Sequence, residues 1–543
     1  MDNLIYKHFE FQKVFLFFFQ NFCNKNLFFS KILNNYPNIF MHVSLFFLSR
    51  GVFVQSYKQY INGKWVNSSS KKTFTSKNPA NPKDVLGIFQ EGSSSDVALA
   101  VAAAQKAFAQ WREIPAPRRG DILLRVATLL RAEKKKLGAL VTREMGKQYI
   151  EGLADIQEAI DVAEYMGSEG RRFFGSTTPS ELPQKFCMTV RRPLGVVGLI
   201  TPWNFPIAIP AWKIMAALIC GNTCVLKPSS DTPLCALTYV QLLEKAGIPQ
   251  GVVNVVTGDG SVVGDALVAH PHVRAISFTG SKDVGAHVLA HAGIKKVGLE
   301  LGGKNAIIIM DDADLPLAVE GVLWGAFGTT GQRCTAASRV IVHKKVQKQF
   351  EHLLLKQVRG LQAGDGMRCN FGPLVNQAAL EKTEKYVAIG LQEGATLLFG
   401  GKRISNKQGY FHEPTLFTRV HPSMRIAQEE IFGPVLSILT CTDLADAICI
   451  ANNIEYGLSS ALYTQNIRNA FLAIEHLDAG ITYINSSTIG AEVHLPFGGV
   501  KKTGNGTREA GILGIDEFSE VKTVYIDYSG KLQKAQIDTF VQK

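Results

Sequence analysis

The sequence predicts an α/β protein built on a doubly wound parallel sheet with a second α/β domain beside it. Three observations carry this. The chain has 543 residues, more than one hydrophobic core accommodates by surface-to-volume scaling, so at least two domains share it. Between Gly195 and Thr279, unbroken apolar segments alternate with helical ones, the pattern of parallel strands buried on both faces. A second alternation begins near Asn305-Ala306-Ile307-Ile308-Ile309 and runs through Val340-Ile341-Val342 to Ile481-Thr482-Tyr483-Ile484.

From the amino terminus, the first 55 residues differ from the rest. They are rich in Phe, Asn and Leu, with Val14-Phe15-Leu16-Phe17-Phe18-Phe19 and a second apolar patch from Val43 to Leu48. Spanning a bilayer takes ~20 apolar residues, and Gln20, Asn21 and Arg50 interrupt these patches. No small-residue cleavage context follows them. The segment is expected to be a poorly structured leader, or to precede a true start near Met41, with a membrane anchor as the alternative.

Order is expected from Tyr57, with a hairpin turning at Asn62-Gly63. Asp96 reads as the N-cap of an alanine-rich helix through Val101, Ala104 and Phe108, and helical periodicity recurs over Asp121 to Arg131 and Asp155 to Tyr165. Strands follow at Gly195 to Ile200, Thr223 to Lys227, Val252 to Val256 and Ala275 to Thr279, with helices through Trp212 to Leu218 and Leu237 to Lys245. Such sheets bind ligands beyond the carboxyl ends of their strands, so function is sought just after each strand. Thr523 to Tyr528 reads as a late strand that pairs outside the main sheets, with a neighbouring subunit as one partner.

The composition, 46% hydrophobic and 19% charged with 49 glycines, suits a globular chain and excludes a coiled coil or a disordered one. The net charge of +12 is dispersed, with no Arg-rich or aromatic-interleaved run, so no nucleic-acid partner is expected. Nine cysteines are scattered, and the one close spacing, Cys220 and Cys224, lacks a second ligand pair. No metal site follows, and reduced thiols in the cytoplasm are the simpler reading.

Five segments then bear on chemistry: Thr201-Pro202-Trp203-Asn204-Phe205-Pro206, Leu226-Lys227-Pro228-Ser229, Phe278-Thr279-Gly280-Ser281, Leu299-Glu300-Leu301-Gly302-Gly303-Lys304 and Gly331-Gln332-Arg333-Cys334-Thr335. Behind them come Glu430-Ile431-Phe432-Gly433-Pro434 and Pro496-Phe497-Gly498-Gly499-Val500-Lys501. In this order and spacing the set resembles the aldehyde dehydrogenase superfamily, from about Tyr57 to Tyr528. The resemblance implies a doubly wound parallel-sheet cofactor domain at 56–174 and 196–301, a second α/β catalytic domain at 302–514, and a small oligomerisation hairpin from 175–195 and 515–530. A homodimer or homotetramer is expected, with a small-molecule aldehyde as partner and no membrane.

Further implications concern individual residues. Cys334 is the nucleophile, since a thiolate attacks a carbonyl and leaves a thioester that water can open. The Asn204 amide and the Cys334 N–H form the oxyanion site. Glu300 activates water; flanked by Leu299 and Leu301 it is poorly solvated, which raises its pKa toward the range of a general base. A hydrolytic glutamate favours a free acid as product over an acyl transfer to coenzyme A.

No Gly-x-Gly-x-x-Gly follows the first strand. By resemblance, NAD or NADP is held instead by Thr201, Pro202 and Trp203, by Lys227, Ser229 and Ser230, by Gly280, Ser281 and Leu301, and by Glu430 and Phe432, with the pyrophosphate at the helix N-terminus after Ser281. Relatives that prefer NAD often carry a glutamate where Ser230 stands; a hydroxyl removes its repulsion of a 2′-phosphate, although Asp231 adjoins it.

For the substrate, Glu158, Phe205, Trp212, Arg333, Gly490 and Ala491 are the candidates. Gln157-Glu158, Arg333 and Ile489-Gly490-Ala491-Glu492 resemble the subgroup that oxidises 2-aminoadipic semialdehyde, with Arg333 and loop N–H groups for the carboxylate and Glu158 for the ammonium. His494-Leu495 departs from the glycines usual there, and other semialdehydes of dicarboxylic acids compete. Each position also has a structural reading: exposed helix residue, scaffold ion pair, turn. A broad-specificity aldehyde dehydrogenase, a silent structural relative and a thiol esterase are the other readings.

Overall fold

Asn62 and Gly63 both adopt positive φ (53° and 71°), the pairing a two-residue hairpin turn requires, and they join the antiparallel strands Gln59–Ile61 and Lys64–Val66. The computed structural model describes residues 54–537, so the expected leader, through residue 53, lies outside the described residues. Among those that are described, no helix is long and apolar enough to cross a membrane.

The alanine-rich helix spans Ser94–Trp111, and its N-cap is Ser93 rather than Asp96. Asp96 sits at the third helical position, where its carboxylate accepts from the Ser93 N–H at 2.9 Å while the Ser93 hydroxyl accepts from the Asp96 N–H at 3.3 Å. In a reciprocal capping box the acid belongs one turn inside the cap, and the serine run before Asp96 hid which residue does the capping. The next two helices are longer than their periodic stretches, Ala116–Met145 and Tyr149–Glu169.

Five parallel strands form the first sheet: Lys296–Glu300, Val273–Thr279, Val196–Ile200, Thr223–Lys227 and Val253–Val255, in that spatial order, with the hairpin added antiparallel at one edge. Val196–Ile200 comes first in the chain and lies centrally, so the order reverses between it and Val273–Thr279. Helices cover both faces. Ala208–Ile219 and Pro233–Lys245 bury with the pair Ala116–Met145 and Tyr149–Glu169 on one side; Ser94–Trp111 and the helix Lys282–His291 lie on the other.

The second sheet places Asn305–Ile309 between Ala337–His343 and Ser459–Tyr463. Val435–Cys441 and Thr415–Thr418 extend one side and Ile481–Ile484 the other, all parallel, with Thr396–Phe399 antiparallel at the edge. Ile307 and Ile309 enter one core and Ile308 the opposite one, as alternation along a doubly covered strand requires. Each such isoleucine contributes about 1.5–3 kcal/mol by burial.

Ser519–Asp527 pairs within the chain, antiparallel along the whole of Lys185–Pro193, and Thr177–Pro179 completes a three-stranded sheet. The two segments read as late or separate elements are thus brought together, and Val521, Tyr525 and Ile526 remain exposed on the terminal strand.

Candidate active site

Asn204, Gly280 and Ser281 lie just past the carboxyl ends of Val196–Ile200 and Val273–Thr279, where the strand order reverses, the usual ligand crevice of such a sheet. Cys334, Glu430 and Phe432 approach from the second sheet and precede its strands Ala337–His343 and Val435–Cys441. Searching only after strands therefore finds half the site. The two halves meet around a cavity of about 330 Å³, lined among others by Pro202, Trp203, Asn204, Gly280, Ser281, Leu301, Cys334, Glu430 and Phe432. Trp203 and Phe432 stand edge to face, 5.4 Å between centroids.

The backbone before Cys334 is strained. Thr329, Thr330 and Gly331 are all left-handed, with φ of 50°, 59° and 71°, a conformation costly for β-branched threonine. Side chains hold it there. Glu151 Oε1 accepts from the Thr329 N–H (2.7 Å), the Thr329 hydroxyl (3.0 Å) and Arg333 Nη2 (2.9 Å). Gln332 Nε2 donates to the Thr329 and Pro373 carbonyls, and its Oε1 accepts from the Val375 N–H. Asn305 Nδ2 donates to the Cys334 carbonyl at 2.7 Å. Sequence reasoning missed Glu151, which reads locally as the acid of the Gln148 capping box.

At the sulfur, burial and then the charges of Glu300 and Glu430 push the thiol pKa up to about 12, while the N–H groups of Thr335 and Cys334 itself favour the thiolate. Asn204 is buried and donates one amide hydrogen to the Gln332 carbonyl at 3.2 Å, and its amide carries a second hydrogen.

Glu300 is 4% exposed and neither carboxylate oxygen has a hydrogen-bond partner among the described residues. Burial, then the negative charge of Glu509, hold it well above the usual carboxylate range, with Lys213 opposing. Lys213 Nζ donates to the Ser277 hydroxyl at 2.7 Å and pairs with Glu509. The buried Glu517 completes this cluster, its pKa raised to about 7 by desolvation and then by Glu509. Lys213 and Glu509 were missed, although one charge inside Ala211-Trp212-Lys213-Ile214-Met215 was a readable signal.

The cavity's donors and acceptors fit a dinucleotide. Ser281 caps the ten-residue helix Lys282–His291, whose free N–H groups favour an anion. Lys227, at the end of its strand, is buried with no hydrogen-bond or ion-pair partner for its ammonium among the described residues. Glu430 accepts from the Gly303 N–H at 2.9 Å through one oxygen, and its other oxygen accepts no hydrogen bond among the described residues. A side chain at residue 302 would collide with this carboxylate. Thr201, Lys227, Ser229 and Ser230 lie outside the cavity's lining. The Ser230 hydroxyl donates to the Gly258 carbonyl at 3.1 Å, and Asp231 is held by Asn376 Nδ2 at 3.0 Å. No group of three or more potential metal ligands occurs among the described residues.

Residues 65–524 match the model of the aldehyde dehydrogenase family. The chain belongs to that family. Its sequence is 40% identical over 479 residues to the alpha-ketoglutaric semialdehyde dehydrogenase of Bacillus subtilis (strain 168), covering 87% of this chain and 98% of the relative. Among solved structures, an NAD-dependent aldehyde dehydrogenase from Sinorhizobium meliloti superposes with a TM-score of 0.86 at 37% identity, covering 89% of this chain and 96% of the other. An E. coli NADP-dependent enzyme gives 0.85 at 36% identity, covering 88% and 99%. As an aldehyde dehydrogenase, the chain is an NAD(P)-dependent oxidoreductase acting on aldehydes.

The substrate candidates divide. Glu158 and Ala491 line a second cavity of about 660 Å³ together with Lys134, Asp161, Glu492 and His494. Glu158 is raised to about 7 by desolvation and then by Asp155, with Lys147 and Arg333 opposing. Arg333 lines neither cavity. It donates through Nε to the Thr329 hydroxyl at 2.8 Å and stacks 5.3 Å from the Phe205 ring and 4.9 Å from the Trp324 ring, while Nη1 has no hydrogen-bond partner among the described residues. Trp212 is buried edge-on to Phe497 at 5.2 Å, and Gly490 is left-handed with φ of 118°.

Proposed function

We propose that this aldehyde dehydrogenase oxidises a carboxylate-bearing semialdehyde to the dicarboxylic acid. The Cys334 thiol gives its proton to solvent, the sulfur attacks the aldehyde carbon, and the carbonyl oxygen takes the negative charge. Asn204 Nδ2 and the Cys334 N–H donate to that oxygen. A nicotinamide held near Glu430 and Phe432 would supply the hydride acceptor; as the C–H bond of the former aldehyde carbon breaks, the oxygen's electron pair re-forms the C=O and a thioester is left on Cys334. Glu300 then takes a proton from water as the water adds to the Cys334 thioester, and the carbon–sulfur bond breaks to release the acid and return the thiol.

Asn204→Ala is expected to lower kcat about 100- to 1,000-fold, the usual loss of one oxyanion donor. Stopped-flow NADH formation checks this, since acylation slows and not only turnover.

Arg333 supports the substrate reading: next to Cys334 in the chain, it lines neither cavity, but beside the Phe205 and Trp324 rings its Nη1 keeps a donor for a carboxylate. The likeness to a semialdehyde dehydrogenase over nearly its whole length supports it. One charge-assisted hydrogen bond is worth about 1.5–3 kcal/mol, so kcat/KM for 2-oxoglutarate or succinate semialdehyde is expected at least about 10-fold above that for an uncharged aldehyde of similar length. Including 2-aminoadipic semialdehyde tests whether Glu158 reads an ammonium. Activity confined to uncharged aldehydes overturns the proposal. With no carboxylate at position 230, NADP is expected within about 100-fold of NAD in the same assays, and a wider gap in favour of NAD refutes that part.

The exposed edge residues Val521, Tyr525, Ile526 and Tyr528 support a homodimer or homotetramer. The eight described cysteines, all free, support a cytoplasmic setting.

A further inference from the structure

Glu151 stands at the third position of the helix Tyr149–Glu169 and is buried, yet it lines neither of the two cavities described above. Its Oε2 accepts from the Gln148 N–H at 3.2 Å, which ties the carboxylate to its own helix, and its Oε1 faces the turn before Cys334. There the Thr329 hydroxyl donates to Glu151 and accepts from Arg333 Nε, while Arg333 Nη2 returns to Glu151. The three side chains close a ring across Thr329 to Arg333, the residues that set where the Cys334 N–H points. The support of Asn204 is anchored to the same helix. Asp155, one turn beyond Glu151, accepts through Oδ1 at 2.8 Å from the N–H of Ala208, the first residue of the helix that follows Asn204. Its Oδ2 accepts from Lys147 Nζ at 3.1 Å, and that ammonium lies 3.8 Å from the Phe205 ring. Asn204 in turn donates to the Gln332 carbonyl, inside the span that Glu151 holds.

We propose that Glu151 is a positioning residue for the oxyanion site: with Asp155 it makes one helix the common support of Asn204 and of the Cys334 N–H, so that both donors converge on one oxygen. The turn needs such a hold. Two threonines in left-handed backbone keep that conformation only while their surroundings impose it, and without Glu151 the Thr329 N–H and hydroxyl lose their buried acceptor. A shift of about 1 Å in a reacting group costs about 100-fold in rate.

Oxyanion support can be separated from the sulfur itself. When Cys334 attacks iodoacetamide, a carbon–sulfur bond forms, the carbon–iodine bond breaks and iodide leaves; no oxygen gains charge, so the thiolate is needed and the two donors are not. This rests on the assignment of Asn204 and the Cys334 N–H to the aldehyde oxygen, as proposed above. The test compares the full chain with Glu151→Ala, Glu151→Gln and Asn204→Ala. It measures first-turnover NADH formation from propanal by stopped flow, Cys334 alkylation by iodoacetamide through peptide mass spectrometry, the NAD Kd and the melting temperature. An uncharged aldehyde removes any contribution of Arg333 to a carboxylate.

In Glu151→Ala, first-turnover NADH formation is expected to slow about 100-fold, with alkylation within about 3-fold of the parent and the NAD Kd unchanged. Glu151→Gln keeps an amide oxygen to accept from Thr329, at about half the strength of a charge-assisted bond, and is expected within about 10-fold of the parent. If Asn204→Ala forms NADH at the parent's rate, the oxyanion assignment is wrong. If Asn204→Ala is slow but Glu151→Ala is not, the proposal for Glu151 fails alone. It fails too if Glu151→Ala slows alkylation as much as NADH formation, or if Glu151→Gln falls as far as Glu151→Ala. Should Glu151→Ala not fold, Glu151→Asp, whose carboxylate is drawn back by one methylene, replaces it under the same criteria.

Discussion

Cys334→Ser is expected to lower kcat/KM for aldehyde oxidation by about 10⁴-fold or more while leaving cofactor binding intact. A serine hydroxyl ionises far less readily than a thiol, and removing the nucleophile of a covalent mechanism costs more than removing any supporting group. The site offers no substitute nucleophile: Asn204 and Gln332 are amides, and Glu300 is buried with its pKa raised above the usual carboxylate range. Steady-state NADH production checks the loss, and cofactor titration of the same protein separates a chemical defect from misfolding. Turnover at the parent's rate would end the covalent mechanism.

Glu300→Gln should act later in the cycle. Acylation proceeds, giving a burst of NADH close to one equivalent per site, and steady turnover falls about 100- to 10,000-fold because no base activates water. Rapid-mixing absorbance resolves the two phases. The parent's rate is expected to rise with pH, since both Cys334 and Glu300 carry pKa values raised by burial and each must lose a proton to act. In the variant the part of that rise due to Glu300 disappears. A variant with undiminished steady turnover would remove Glu300 from the mechanism.

Legibility differed by level. The strands Thr223–Lys227, Asn305–Ile309 and Ile481–Ile484 fall on the predicted residues; the first two are buried along their whole length, which asks for a mostly apolar run, and the half-buried edge strand Ile481–Ile484 is marked by its β-branched and aromatic residues. Helix ends were harder: Ser93 and Asp96 both satisfy a capping preference, and only their mutual hydrogen bonds assign the roles. In the site, the short segments around Asn204, Glu300 and Cys334 were readable as words of a known family. Their supports were not. Glu151 reaches Thr329 across 178 residues and Lys213 reaches Glu509 across 296; the lone charge of Lys213 in an apolar helix signals that a partner exists, but nothing local says which residue it is. The allocation of Arg333 between Glu151 and a ligand likewise depends on a neighbour that spacing cannot identify.

The long antiparallel pairing of Lys185–Pro193 with Ser519–Asp527 has a temporal consequence. A ribosome delivers the amino-terminal partner more than 300 residues before its mate, so this ribbon, and the Glu509 that neutralises Lys213 just upstream of it, cannot form until synthesis is nearly over. Contacts this distant in sequence close slowly. The nascent chain must carry an unmatched lysine and an open strand edge through most of translation, the stage at which chaperones have the most to protect.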